Sequence, residues 1–269
     1  MQIVNLDQPE SLAVLVYGKP GSGKTTFLGS ACDDDRSYPV LHVDISGNPE
    51  TLAKRKGRKP YVLRLDKLSE LNAIFDWFSK GQPTDHTVVE KLGCKSGYKT
   101  LVFDGITAIQ RKSFNIVLGQ ELKPGDIPKK PEWNDYSAVL RQMLVIATCF
   151  LQQLRSVHVL VSCLEHTDTR YRVPGAANTA YAYAEPGLQG QAVTELPGEA
   201  LAVMRFAHKS TLAPEIDKAL RAKYTIAQLR ENRYVYAKDQ HHLGGTIVDD
   251  AVYLADPTVP MLLDAINAV

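Results

Sequence analysis

The chain has 269 residues, enough for one large α/β domain or for one domain with a small appendage. Its 44% hydrophobic and 23% charged content is ordinary for a soluble globular protein. A net charge of +1 excludes a global field that pulls the chain onto nucleic acid, so such binding would need a local patch.

The apolar run Leu12 to Tyr17 reads as a first strand. It feeds Gly18-Lys19-Pro20-Gly21-Ser22-Gly23-Lys24-Thr25-Thr26, and a helix is expected from there to about Cys32. After the polar turn Asp33 to Arg36, Val40–Asp44 reads as the second strand and Tyr61–Leu65 as the third. Between them lies the densest basic cluster, Lys54, Arg55, Lys56, Arg58 and Lys59. Leu68, Leu71, Phe75 and Phe78 share one helical face, and residues 80–99 read as an exposed loop or small excursion. Thr100–Asp104 is an apolar strand ending in a carboxylate, followed by a helix to about Leu118 and a Pro- and Gly-rich surface loop over 119–132.

A long amphipathic helix is expected from a cap at Asn134 or Asp135 through Leu154. The nearly continuous apolar run Val157–Cys163 reads as a strand buried in a parallel sheet. Residues 167–199 declare no long element, which points to a functional or mobile loop. Leu201–Phe206 and Arg233–Ala237 read as further strands, with a helical piece from about Pro214 to Arg230 between them and a short terminal helix from Pro260. Strands separated by helices predict a mainly parallel α/β sheet flanked by helices, with a C-terminal antiparallel extension. The expected organisation is one domain over 1–269, with a core of about 12–206 and an extension of about 207–269.

Cys32, Cys94, Cys149 and Cys163 show no C-x-x-C spacing and read as reduced thiols rather than a zinc site or disulfide framework. The N-terminus lacks the basic and apolar regions of a signal peptide, and the longest apolar run, Met143–Leu151, is too short to cross a bilayer. A cytoplasmic protein with no membrane partner is expected.

The glycine loop after a strand matches the phosphate-cradling pattern G-x-x-x-x-G-K-[ST]. Gly18, Gly21 and Gly23 let the backbone turn so that successive N–H groups of the loop, which also contains Pro20, Ser22, Lys24, Thr25 and Thr26, converge on phosphate oxygens. Lys24 would reach the terminal phosphates, and the Thr25 hydroxyl would hold Mg²⁺ opposite Asp104. Hydrolysis also needs a group to orient water. Glu165 and Asp44, both at strand ends, are the two candidates, and each is also explained as an ordinary surface carboxylate. His166 would either sense the terminal phosphate or cap its strand.

Taken with Leu101-Val102-Phe103-Asp104-Gly105-Ile106-Thr107, the Glu165-His166 strand end, the Pro186-Gly187-Leu188 to Leu196-Pro197-Gly198 segment and Ala237-Lys238-Asp239, the glycine loop resembles the RecA-like phage nucleotide-binding proteins. Some of these act as single-strand annealing recombinases. The resemblance implies a RecA-like P-loop ATPase with ATP and Mg²⁺ bound between subunits of a ring or filament. It also implies a late Lys-x-Arg pair reaching a neighbour's phosphates. Lys238 matches that pair and Gln240 does not; the segment Asp44-Ile45-Ser46-Gly47 also lacks the Glu such proteins place after the second strand. Both departures point to slow or partner-stimulated hydrolysis.

Two segments are candidates for single-stranded DNA. The basic run at 54–59 would contact phosphates, or it is a solvated loop. Arg170, Tyr171 and Arg172 open a loop with Tyr181 and Tyr183 that suits stacking and phosphate contact, or it is an uninvolved surface. The expected function is an ATPase acting on single-stranded DNA in recombination or repair. The alternatives are a replication or packaging accessory with little turnover and, less favoured, a P-loop kinase.

Overall fold

Apolar residues fill both parities of the central strands because both faces of the sheet are covered. In the computed structural model the described residues are 11–45, 50–92, 97–168, 183–208, 221, 223–230, 246–248 and 251–267. They form strands β1 (Ala13–Gly18), β2 (Val40–Asp44), β3 (Tyr61–Arg64), β4 (Thr100–Asp104), β5 (His158–Asp168), β6 (Tyr183–Pro186), β7 (Ala202–His208), β8 (Thr225–Arg230), β9 (Thr246–Val248) and β10 (Ala251–Ala255). The helices are α1 (Lys24–Gly29), α2 (Glu50–Ala53), α3 (Glu70–Ser79), α4 (Thr87–Leu92), α5 (Ile106–Val117), α6 (Trp133–Ala147), α7 (Ala192–Glu195) and α8 (Val259–Asn267).

The sheet runs β3-β2-β4-β5-β1-β7-β8-β10-β9, with β6 paired to the far end of β5. From β3 to β7 every pairing is parallel, and β8, β10 and β9 close the sheet antiparallel. This is the mainly parallel α/β sheet with an antiparallel C-terminal end that the alternating elements predict. The β5 strand lies between β1, which carries the glycine loop, and β4, which carries Asp104.

On one face Leu15, Tyr17, Leu41, Val43, Leu101, Phe103 and Val161 pack against Trp77 of α3, Ile109 of α5 and Met143 of α6. On the other, Val14, Val16, Val102, Leu160 and Met204 meet Phe27 and Leu28 of α1 and Leu262 and Leu263 of α8. Residues of opposite parity thus feed opposite cores, so a continuous apolar run suits each strand.

The structure corrects several sequence expectations. Thr225–Arg230 is a strand, not the end of a helix: it pairs antiparallel with β7, and its Ala227 and Leu229 join the core on one face of the sheet. The 80–99 stretch is no simple exposed loop. It contains α4, and buried Gln82 receives the Tyr98 N–H at 2.7 Å and donates to the Tyr98 carbonyl at 2.8 Å. The cap of α6 is Glu132, whose N–H donates to the Asp135 carboxylate at 2.7 Å in a reciprocal capping box. The strand expected at 233–237 lies outside the described residues.

Candidate functional site

The buried β1 strand delivers the chain to the glycine loop at the edge where the parallel strands end. Gly18 is required by close approach: a Cβ there would stand 2.4 Å from the Phe206 carbonyl oxygen. Gly23 is required twice, by φ +96° and by the Thr225 hydroxyl, which a Cβ would meet at 2.6 Å. Gly21 also takes a positive φ, +79°, but faces open space. In this loop Ser22 is 4% exposed, and its Oγ has no hydrogen-bond partner among the described residues. A buried hydroxyl so placed, in a loop with no room for a side chain at Gly18 or Gly23, fits a phosphate oxygen.

Lys24 follows at the start of α1, buried, with Nζ donating to the carbonyls of Gly18 at 2.7 Å and Lys19 at 2.9 Å. Burial pushes its ammonium below the usual lysine range, and Asp104 is the main opposing charge. Thr25 turns to the neighbouring strands, donating to Asp104 Oδ2 at 3.0 Å. Two hard oxygen donors in direct contact suit Mg²⁺, which is held by few protein ligands and keeps several waters.

Parallel register sets the surroundings of Asp104. Asp44, Asp104 and Ser162 occupy one row across β2, β4 and β5. The Ser162 hydroxyl donates to Asp104 Oδ1, and buried His42 places Nε2 3.6 Å from Oδ2. Burial lowers the imidazole pKa, with Asp104 pulling the other way. Asp104 is thereby fixed from three sides. Asp44 is 2% exposed at its strand end.

On the opposite face of β5, Cys163 packs against the Thr107 hydroxyl at 3.2 Å. Burial raises its thiol to about 11, so it is not a nucleophile at neutral pH. Beyond it, the carboxylate of Glu165 is gripped by both faces of one fork: Arg205 Nε at 3.0 Å and Nη2 at 3.2 Å. The two line a pocket of about 190 Å³ with Lys19, Pro20, Gly21, Ser22, Phe206, Ala207 and His208. His166 is exposed.

The site residues that sequence reasoning missed are Arg205, Ser162, His42 and Thr225. His42 was visible as a polar residue inside an apolar strand; the others become neighbours only through strand register. The basic run behaves differently from its appearance in sequence. Arg55 pairs with Asp33, Arg58 with Asp35 at 2.5 Å, Lys54 with Glu50 at 3.8 Å, and Lys59 donates to the Ala53 carbonyl. Much of that charge is thus neutralised within the chain, and Arg58 also lies over the Tyr38 ring at 4.9 Å. Ser46, Arg170, Tyr171, Arg172, Lys238 and Gln240 lie outside the described residues.

Among the described residues, no helix is long and apolar enough to cross a membrane. A search of curated proteins found no match. Among solved structures, the chain is similar to the RadB recombinase, at 16% identity and a TM-score of 0.42 over 84% of this chain and 83% of that one. The family profile described as "AAA domain" matches residues 10–241, which spans the glycine loop, Asp104 and the β5 and β7 strand ends. With this match over most of its length, the chain belongs to the AAA domain family of P-loop proteins.

Proposed function

We propose that the chain binds ATP with Mg²⁺ and hydrolyses it slowly while acting on single-stranded DNA in recombination or repair. The observation that carries this reading is the 3.0 Å contact between Thr25 and Asp104 beside the buried Lys24 of the glycine loop. The loop amides and the Ser22 hydroxyl receive phosphate oxygens, and Lys24 exchanges its two carbonyl partners for the terminal phosphates. Thr25 and Asp104 hold Mg²⁺, which when bound neutralises charge developing on the phosphates. Ser162 and His42 keep the Asp104 carboxylate aimed. Of the two candidate water-orienting groups, Glu165 is favoured over Asp44 because it shares the pocket with Lys19–Ser22.

The DNA part of the proposal rests on the resemblance noted from sequence. On this reading the chain is of the annealing-recombinase type, phage-encoded and at work in the host cytoplasm. Arg170, Tyr171 and Arg172 contact the strand, with a smaller share from Lys54, Arg55, Lys56, Arg58 and Lys59 because several of these are already paired. A homo-oligomer, ring or filament, brings Lys238 to a neighbour's ATP. The almost fully exposed Ile127 and Trp133 are apolar surface that a neighbouring copy would cover.

A second reading, an accessory protein that uses ATP for assembly with little turnover, is supported by Gln240 in place of arginine and by the locked Glu165. A kinase would need an acceptor pocket and a lid of arginines; 119–132 contains no arginine and 167–186 only Arg170 and Arg172, which do not make a convincing lid.

The test is ATP turnover with and without single-stranded DNA, alongside DNA binding at two salt concentrations. We expect DNA-stimulated hydrolysis that Lys24→Ala abolishes. Absence of DNA binding at low salt would remove the recombinase reading, and turnover indifferent to DNA would favour the accessory one.

A further inference from the structure

We propose that Arg205 is a contact for the terminal phosphate of a bound nucleoside triphosphate, and that Glu165 is the carboxylate it releases to make that contact. This rests on the reading of the glycine loop as a nucleotide site and adds to it a residue that distinguishes tri- from diphosphate.

Three observations converge. The first is placement. Arg205 and Glu165 line the same pocket as Lys19, Pro20, Gly21 and Ser22, so the guanidinium lies beside the first residues of the phosphate loop. Its strand leaves little slack: Arg205 is in register with Tyr17, and the next pair is Phe206 with Gly18, where the loop begins. The second is geometry. Two N–H groups of one guanidinium engage two carboxylate oxygens at 3.0 and 3.2 Å. A phosphoryl group offers the same pair of oxygens with greater charge, so it competes for the same fork.

The third is the asymmetry of exposure. The Arg205 side chain is 28% exposed and the Glu165 side chain 2% exposed. The cation can therefore be reached from the pocket, and the carboxylate lies beneath it. When Arg205 turns to phosphate, Glu165 loses the fork that holds both its oxygens. The carboxylate is then open to water entering the pocket. The same movement would position water for attack only when a triphosphate is present. While the fork is closed, Glu165 is occupied and turnover is suppressed.

The experiment measures affinities for ATPγS and ADP by displacement of a fluorescent nucleotide, in wild type, Arg205→Ala, Arg205→Lys and Glu165→Gln. Arg205→Ala is expected to weaken ATPγS about tenfold or more, as lost charge-assisted contacts do, while ADP affinity stays within about twofold. Arg205→Lys, which lacks the fork, is expected to restore only part of the loss. Glu165→Gln weakens the hold on Arg205 and is expected to tighten ATPγS without changing ADP. Equal losses for both nucleotides in Arg205→Ala, or no loss for either, would overturn the proposal. If Arg205→Ala does not fold, the near-isosteric Glu165→Gln decides: an unchanged ATPγS to ADP ratio overturns it. A wild-type chain that binds neither nucleotide sinks the underlying site reading instead, so the two failures are distinguishable.

Discussion

His158 accepts the Leu12 N–H at Nδ1, 3.0 Å away, which ties the start of β5 to the residue before β1. Burial, the largest influence, holds this imidazole below its ordinary pKa, and burial does the same to His42. The unfolded chain therefore takes up protons below about pH 6.5 that the native chain resists. Their stabilisation is fully present above that value and is lost as pH falls toward the native pKa. Urea midpoints are expected to drop between about pH 7.5 and 5.5, and His158→Gln is expected to shrink the drop. An undiminished drop in the variant would show that His158 is not one of the groups responsible. At this scale the sequence was informative wherever chemistry is local. Lys24, Thr25 and the glycines sit in one contiguous motif, and Asp104 ends an obvious apolar strand. Arg205 carried no such mark, because its partner is 40 residues away in sequence and meets it only through the sheet.

Among the elements, β8 does more than close the sheet. Its first residue, Thr225, lies against Gly23 and Ser22, with its hydroxyl 3.5 Å from the Ser22 carbonyl. That position is set by Asp256, whose carboxylate accepts the N–H groups of Lys223, Tyr224 and Thr225, the last two at 2.7 Å each. Asp256→Ala removes these charge-assisted bonds and is expected to cost about 2 kcal/mol in chemical denaturation. The same variant is expected to weaken nucleotide binding, since Thr225 no longer buttresses the loop. Gly18→Ala is expected to be more damaging to binding than Gly21→Ala. The first forces a Cβ against the Phe206 backbone, whereas the second meets strain at φ but open space. Nucleotide titration of the two variants checks the order. The expectation of a helix through Thr225–Arg230 failed for a related reason: that run is too short for its period to be decisive, and pairing with β7 settled it. Similarly, β5 extends past Cys163 to Asp168 because β6 comes back to pair with its far end.

For the whole molecule, the class of fold was legible because strand–helix alternation and runs apolar in both parities already require a covered, mainly parallel sheet. Strand order was not, since nothing in the composition of β5 says that it inserts between β1 and β4. That insertion has a functional consequence: it places Ser162 beside Asp104 on one face and Glu165 beside Arg205 on the other. If ATP lies between copies of the chain, Mg·ATPγS is expected to raise the sedimentation coefficient of wild type, with no increase for Lys24→Ala. The central claim is that the glycine loop, Lys24 and the Thr25–Asp104 pair form one Mg²⁺-dependent triphosphate site. Calorimetric titration of ATPγS with and without Mg²⁺, in wild type, Lys24→Ala and Asp104→Asn, tests it most directly. The account predicts saturable, Mg²⁺-enhanced binding in wild type, loss of binding in Lys24→Ala and loss of the Mg²⁺ enhancement in Asp104→Asn. Wild-type affinity retained in Lys24→Ala, or indifferent to Mg²⁺, would contradict it.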